Sequence, residues 1–149
     1  MQQTVAEQID APIEVVFKLL TEPEQVRRWM PSIESMETVS TPADGGPVGN
    51  RFRQRLRTGD RVSTFEGVIT EFQQPERLSV RVGNNMLLME IDYLLSRGPG
   101  DSTEIRYQLD SRVTHWLFRW FGSLLNNMTQ LAMRPQMQSL KRVAESDVA

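Results

Sequence analysis

The chain lacks cysteine altogether and carries a single histidine, His115. Without thiols there is no disulfide framework, no thiolate-bound zinc, no iron–sulfur cluster and no cysteine nucleophile. One imidazole does not build a histidine metal site, and no cofactor is expected. Excess charge of one sign is also missing. Seventeen basic residues against nineteen acidic ones leave a formal charge of −2, which is not the basic footprint of a nucleic-acid binder. Long apolar runs are absent too. The greasiest stretch, Trp116 to Leu125, is broken by Arg119 and is too short to span a bilayer. The first residues, Met1-Gln2-Gln3-Thr4-Val5-Ala6, have neither the basic start nor the apolar core of a secretory signal, so a cytoplasmic location is expected. The two glycines and two prolines of Ser40 to Pro47 lack the spacing and the Lys-Ser/Thr ending of a phosphate-binding loop. Any chemistry must therefore run on Arg, Glu, Asp, Ser, Tyr, Gln and Asn.

What is present is patterned. At 149 residues the length fits one domain, 1–149, and a chain of this size buries roughly 70% of its unfolded surface without needing staples. A first strand is expected near Thr4–Ile9, followed by a helix that opens at Pro12 and carries Ile13, Val16, Phe17 and Leu20 on one face. Thr21-Glu22-Pro23-Glu24 reads as a capping box that starts a second short helix, which runs to Trp29 and stops at Pro31.

From about Ile33 to Arg112 the period changes to two. Arg51, Arg53, Arg55 and Arg57 alternate with Phe52, Gln54 and Leu56. Gly59-Asp60 is a two-residue turn, which pairs Thr58 with Arg61, Gln54 with Phe65 and Phe52 with Gly67. The same register sets Arg53 opposite Glu66. A turn at Asn84-Asn85 is expected to pair Val82 with Leu87 and Val80 with Met89. The loop at Gly98-Pro99-Gly100 is expected to pair Tyr93 with Ile105 and Ile91 with Tyr107, with Asp92 opposite Arg106. One face of this antiparallel meander is greasy and the other is charged, with arginines and carboxylates interleaved. Glu71 shares the greasy parity near a strand end. The greasy face needs a cover. His115 to about Glu145 supplies it as a long helix, with Leu117, Phe121, Leu124, Met128 and Leu131 at helical spacing and a kink expected at Pro135.

The order strand, two helices, six strands, long helix resembles the START/polyketide-cyclase superfamily, SRPBCC. The resemblance covers about residues 3–145. It rests on Ile9-Asp10-Ala11-Pro12-Ile13, Leu20-Thr21-Glu22-Pro23-Glu24 leading to Trp29, and Gly49 before the arginine strand. Gly67-Val68-Ile69-Thr70-Glu71-Phe72 with Pro75-Glu76-Arg77-Leu78, and Ser139-Leu140-Lys141, complete it. It implies an α+β helix-grip fold, in which a curved seven-stranded antiparallel sheet wraps a long C-terminal helix and leaves a cavity between them. Members bind lipids, polyketides, hormones or quinone-like molecules. Some cyclise aromatic polyketides, and others assist a chaperone ATPase.

The expected function is binding of a small hydrophobic molecule, by a monomer or homodimer, in a cavity of drug-like size. The expected contacts are Trp29, Phe52, Gln54, Phe65, Met89, Tyr93 and Tyr107, with Trp116, Trp120, Phe121 and Leu124 from the last helix. Gln54 is polar amid apolar neighbours, and burying it unpaired would be costly. The tyrosine hydroxyls offer hydrogen bonds to a ligand oxygen. A cyclase, aromatase or dehydratase is the alternative, with these same groups stabilising an enolate-like oxygen. A chaperone-accessory domain is the third reading.

Overall fold

The computed structural model describes residues 2–113 and 122–149, the stretch 122–132 by its backbone alone. Strand β1 (Gln2–Ile9) leads into α1 (Ile13–Thr21) and α2 (Pro23–Trp29). Six strands follow: β2 (Ile33–Ser40), β3 (Arg51–Thr58), β4 (Arg61–Gln73), β5 (Arg77–Gly83), β6 (Leu87–Arg97) and β7 (Thr103–Val113). Helix α3 (Gly122–Val148) closes the chain. The strands form one seven-stranded antiparallel sheet in the order β1-β7-β6-β5-β4-β3-β2. β1 and β2 are its two edges, and α1–α2 carry the chain from one edge to the other. This is the helix-grip α+β fold.

Helix α1 starts where expected, because the Pro12 carbonyl accepts the N–H groups of Val15 and Val16 while Pro12 itself has no N–H to lose. Ile13, Val16, Phe17 and Leu20 are all buried on one face. The expected capping box does not form. Thr21 is the last residue of α1, so its hydroxyl reaches back and donates to the Phe17 carbonyl, and Glu22 caps α2 without a side-chain bond.

The β3–β4 register is the one the turn dictated: Thr58 opposite Arg61, Gln54 opposite Phe65, Phe52 opposite Gly67 and Arg53 opposite Glu66. The next two hairpins are displaced by two residues. In β5–β6, Val82 faces Met89, Val80 faces Ile91 and Leu78 faces Tyr93. The Asn84 side chain accepts from the Met86 and Leu87 N–H groups and makes the connection a longer turn. In β6–β7, Tyr93 faces Tyr107, Ile91 faces Leu109 and Asp92 faces Gln108 rather than Arg106. There the chain reverses tightly, with the Gly98 N–H donating to the Ser102 carbonyl. A slide of two keeps every side chain on its face, so the greasy and charged faces stand as expected.

Glu71 departs from its expected face. A bulge between Ile69 and Glu71 leaves Thr70 unpaired and reverses the alternation. Glu71 pairs with Arg77 at 3.1 Å, and Phe72 turns inward to meet Phe17 edge-on at 5.3 Å. The charged face is ion-paired: Arg53 with Glu66 and Glu37, Arg57 with Glu34, Arg81 with Glu90, and Arg77 also with Asp92. Exposed pairs of this kind contribute little each.

Helix α3 seats its C-terminal half on the core. Met133, Met137, Leu140 and Ala144 follow one another at spacings of three and four, and all are buried. They pack among Ile9, Ile13, Val16, Leu19, Trp29 and Ile105. The Ser139 hydroxyl donates to the Trp29 carbonyl and Lys141 donates to the Gln8 carbonyl, so α3 is tied both to α2 and to β1. The helix runs unbroken through Pro135. The segment from His115 to Phe121, where the expected helix began, lies outside the described residues.

Candidate functional site

A cavity of about 190 Å³ opens between the inner face of the sheet and the α1–α2 pair. Its floor comes from successive strands, with Met36 and Thr38 of β2, Phe52 and Gln54 of β3, Ile69 of β4, Leu78, Val80 and Val82 of β5, and Ile91 and Tyr93 of β6. The opposite wall is Leu20, Val26, Trp29 and Met30, with Thr21 and Pro23 at the helix junction. The volume is below the roughly 300–1,000 Å³ of drug-sized sites, so the site is smaller than expected from the sequence.

Each wall has a local cause. Trp29 is 2% exposed, and its indole N–H donates to the Leu19 carbonyl at 2.7 Å. That bond fixes α2 on α1 and leaves the ring, but not its donor, for the cavity. The far end of the Phe52 ring stands over Gly67. A Cβ built on Gly67 would stand 2.2 Å from Phe52 Cζ, so glycine is what lets the ring settle against the sheet. Tyr93 is 7% exposed. It stacks on Tyr107 at 5.1 Å with the planes 6° apart, and it meets Trp29 edge-on at 6.5 Å.

Among the polar groups on this mostly apolar lining, three stand out. The Tyr93 hydroxyl and the half-buried Gln54 amide have no hydrogen-bond partner among the described residues, unlike Tyr107, whose hydroxyl reaches Gln136 Oε1 at 3.5 Å. The Asn50 Oδ1 atom is buried and likewise unpartnered among them. Buried polar groups normally find partners, so Asn50 Oδ1 marks a place on the lining where a hydrogen-bond donor fits. Desolvation, with a smaller contribution from neighbouring Tyr107, raises the Tyr93 hydroxyl well above the ordinary tyrosine range, and desolvation does the same for Tyr107. Both are neutral donors at physiological pH. The described lining offers no carboxylate or imidazole. Its one charged member, Arg51, is exposed at the start of β3, at a strand position that faces away from Phe52 and Gln54. No group of three or more metal-ligating side chains occurs among the described residues.

Of the expected contacts, the structure brings Trp29, Phe52, Gln54 and Tyr93 together on this cavity. Phe65 and Met89 are half-buried on the same face of the sheet, and Tyr107 backs Tyr93, but none of the three is on the described lining. Trp116, Trp120 and Phe121 lie outside the described residues, and Leu124 is described by its backbone alone. The described wall opposite the sheet is thus α1–α2, where the sequence reading placed the C-terminal helix. Asn50 was missed because it precedes the strand. Its signal is parity, since 50 extends the inward series 52, 54, 56.

The fold agrees with what the chain resembles. It superposes on a START superfamily protein from Mycobacterium smegmatis with a TM-score of 0.81 at 14% identity, covering 97% of each chain. An AHSA1-like protein from Aeromonas hydrophila matches at 21% identity and a TM-score of 0.68, with 99% and 94% covered. The di-domain ARO/CYC BexL of the BE-7585A biosynthetic pathway matches at 14% and 0.77, over 95% of this chain and 45% of that one. No curated protein sequence matches significantly. The family described as polyketide cyclase / dehydrase and lipid transport matches residues 1–145. With that match spanning nearly the whole length, the chain belongs to the polyketide cyclase / dehydrase and lipid transport family.

Proposed function

We propose that this protein binds a small hydrophobic or aromatic molecule in the cavity between the sheet and α1–α2, as a binding protein of the cytoplasm. The observation that carries this reading is a lining that sets the Tyr93 hydroxyl, the Gln54 amide and the buried, unpartnered Asn50 Oδ1 among side chains that are mostly Leu, Val, Ile, Met, Phe and Trp. Apolar walls supply affinity by burial, at about 25 cal/mol per Å². A few fixed polar groups supply orientation. The family description, which includes lipid transport, supports the same reading.

Cyclase or dehydrase activity is the second reading. The same family description favours it, as do the Tyr93 and Gln54 donors, which have the chemistry to stabilise an enolate-like oxygen. Binding is preferred because the described lining holds no group to take up a proton. Thermal-shift and native mass-spectrometric screening against lipids, quinones and aromatic polyketides tests the proposal. A ligand at a hundred times its Kd adds about 2.7 kcal/mol to the stability, a shift easily read. Uniformly null screens at millimolar ligand would refute it.

A further inference from the structure

The shape and chemistry of the cavity narrow the ligand class. Resting on the binding function proposed above, we infer that the ligand is an uncharged molecule of one or two small rings whose carbonyl or hydroxyl oxygen is held by the Tyr93 hydroxyl, with the Gln54 amide beside it.

Three observations carry this. The first is size. A cavity of about 150 Å³ lined by aliphatic and aromatic side chains accommodates benzene. The 190 Å³ here therefore suits one ring or two small fused rings, and neither a multi-ring polyketide nor a two-chain lipid. The second is the state of Tyr93. It is more than nine-tenths buried and lies on the cavity lining, and two aromatic neighbours, Tyr107 and Trp29, hold its ring. Its hydroxyl makes no hydrogen bond to another described residue, and the two ring contacts fix where that donor stands. Trp29, the other N–H or O–H aromatic on the described lining, has already spent its donor on Leu19. The third is charge. The described inward lining carries no cation, and an anion brought into it would be buried without compensation.

A matched set of two-ring probes separates these terms. Tetralin has no oxygen, 1-tetralone adds a neutral carbonyl, and 1,2,3,4-tetrahydro-2-naphthoate adds an anion. Calorimetric titration of the intact protein is expected to show 1-tetralone bound at least tenfold more tightly than the naphthoate. Tyr93→Phe should weaken 1-tetralone by about tenfold while leaving tetralin unchanged. Gln54→Leu should weaken 1-tetralone by a smaller factor and again spare tetralin. Equal loss of both neutral probes in Tyr93→Phe would show that the ring acts by shape alone and would overturn the inference. Preferential binding of the anion would overturn it as well. If no two-ring probe binds while a larger lipid or polyketide does, the size class is wrong and the binding function stands. If nothing binds, both fall.

Discussion

Replacing Gly67 by alanine tests how the cavity floor is built. The new Cβ would sit 2.2, 2.5 and 2.8 Å from three atoms of the Phe52 ring, all inside the 3.0 Å that real Cβ contacts essentially never breach. The ring must retreat by about 0.8 Å to reach even that limit, and the cavity lies on its open side. Overpacking of this kind costs about 1–3 kcal/mol. Alanine in place of glycine in a strand returns about 0.5–1 kcal/mol of that, because the unfolded chain has less freedom to lose. The net expectation is a loss of up to about 2.5 kcal/mol, or a Tm lower by up to roughly 10 °C for a chain of this size. A double-mutant cycle in urea with Phe52→Ala isolates the contact. In the Phe52→Ala background the Gly67→Ala penalty should vanish, giving a coupling energy of about 1 kcal/mol or more. The displaced ring should also weaken binding of any cavity ligand. The same effect of Gly67→Ala in both backgrounds would refute the packing of Phe52 on Gly67.

Other expectations follow from the buried tyrosines and the surface pairs. The chain has only two tyrosines, and burial raises both hydroxyls in the folded state. The unfolded chain therefore loses those protons first, so their contribution to stability is present below about pH 10 and declines as the pH rises above it. Absorbance at 295 nm should show tyrosinate appearing together with unfolding, and titration while the far-UV spectrum stays native would contradict the burial. At the acid end, Glu14 is held below its ordinary value by Arg97, Glu145 by the Asp10 N–H and then Lys141, and Asp147 by Arg28. Folded values below unfolded ones mean stability that is present above about pH 4.5 and lost as pH falls through the folded values. These groups are at the surface, so the loss should be modest and smaller still in 1 M salt, as urea midpoints across pH 3–6 would show. Trp29→Phe removes the donor to the buried Leu19 carbonyl along with packed ring atoms. It should cost about 2–4 kcal/mol by urea denaturation, and a loss under 0.5 kcal/mol would deny the indole its place in joining α1 to α2.

How far the sequence disclosed the fold depends on what kind of signal each element carried. The β3–β4 register was legible because a two-residue turn and the Arg53–Glu66 pair point to the same alignment. The next two hairpins were read two residues out because alternation has a period of two, and a two-residue slide leaves every apolar side chain on its own face. Only the Asn84 side chain and the tight Gly98–Ser102 reversal decide between the alternatives. The consequence is functional: the true register brings Tyr93 and Tyr107 side by side. The bulge at Thr70 broke the parity that put Glu71 inside, and Phe72, three residues after Ile69, was its visible trace. Gln54 and Tyr93 were found as polar residues on a greasy face. The α1–α2 wall was not read beyond Trp29, because the apolar face of α1 is readable while the part of the sheet it covers is set by tertiary packing. The side chains expected from Trp116 to Leu124 are not among those described.

The central claim is that the cavity holds an uncharged ligand through Tyr93, and a structure of the protein soaked with 1-tetralone tests it most directly. The account predicts the ring system between Trp29 and the sheet, with its carbonyl oxygen accepting from the Tyr93 hydroxyl at ordinary hydrogen-bond distance, about 2.7–2.8 Å. A cavity left empty at saturating probe, or a ligand seated elsewhere on the molecule, would contradict it.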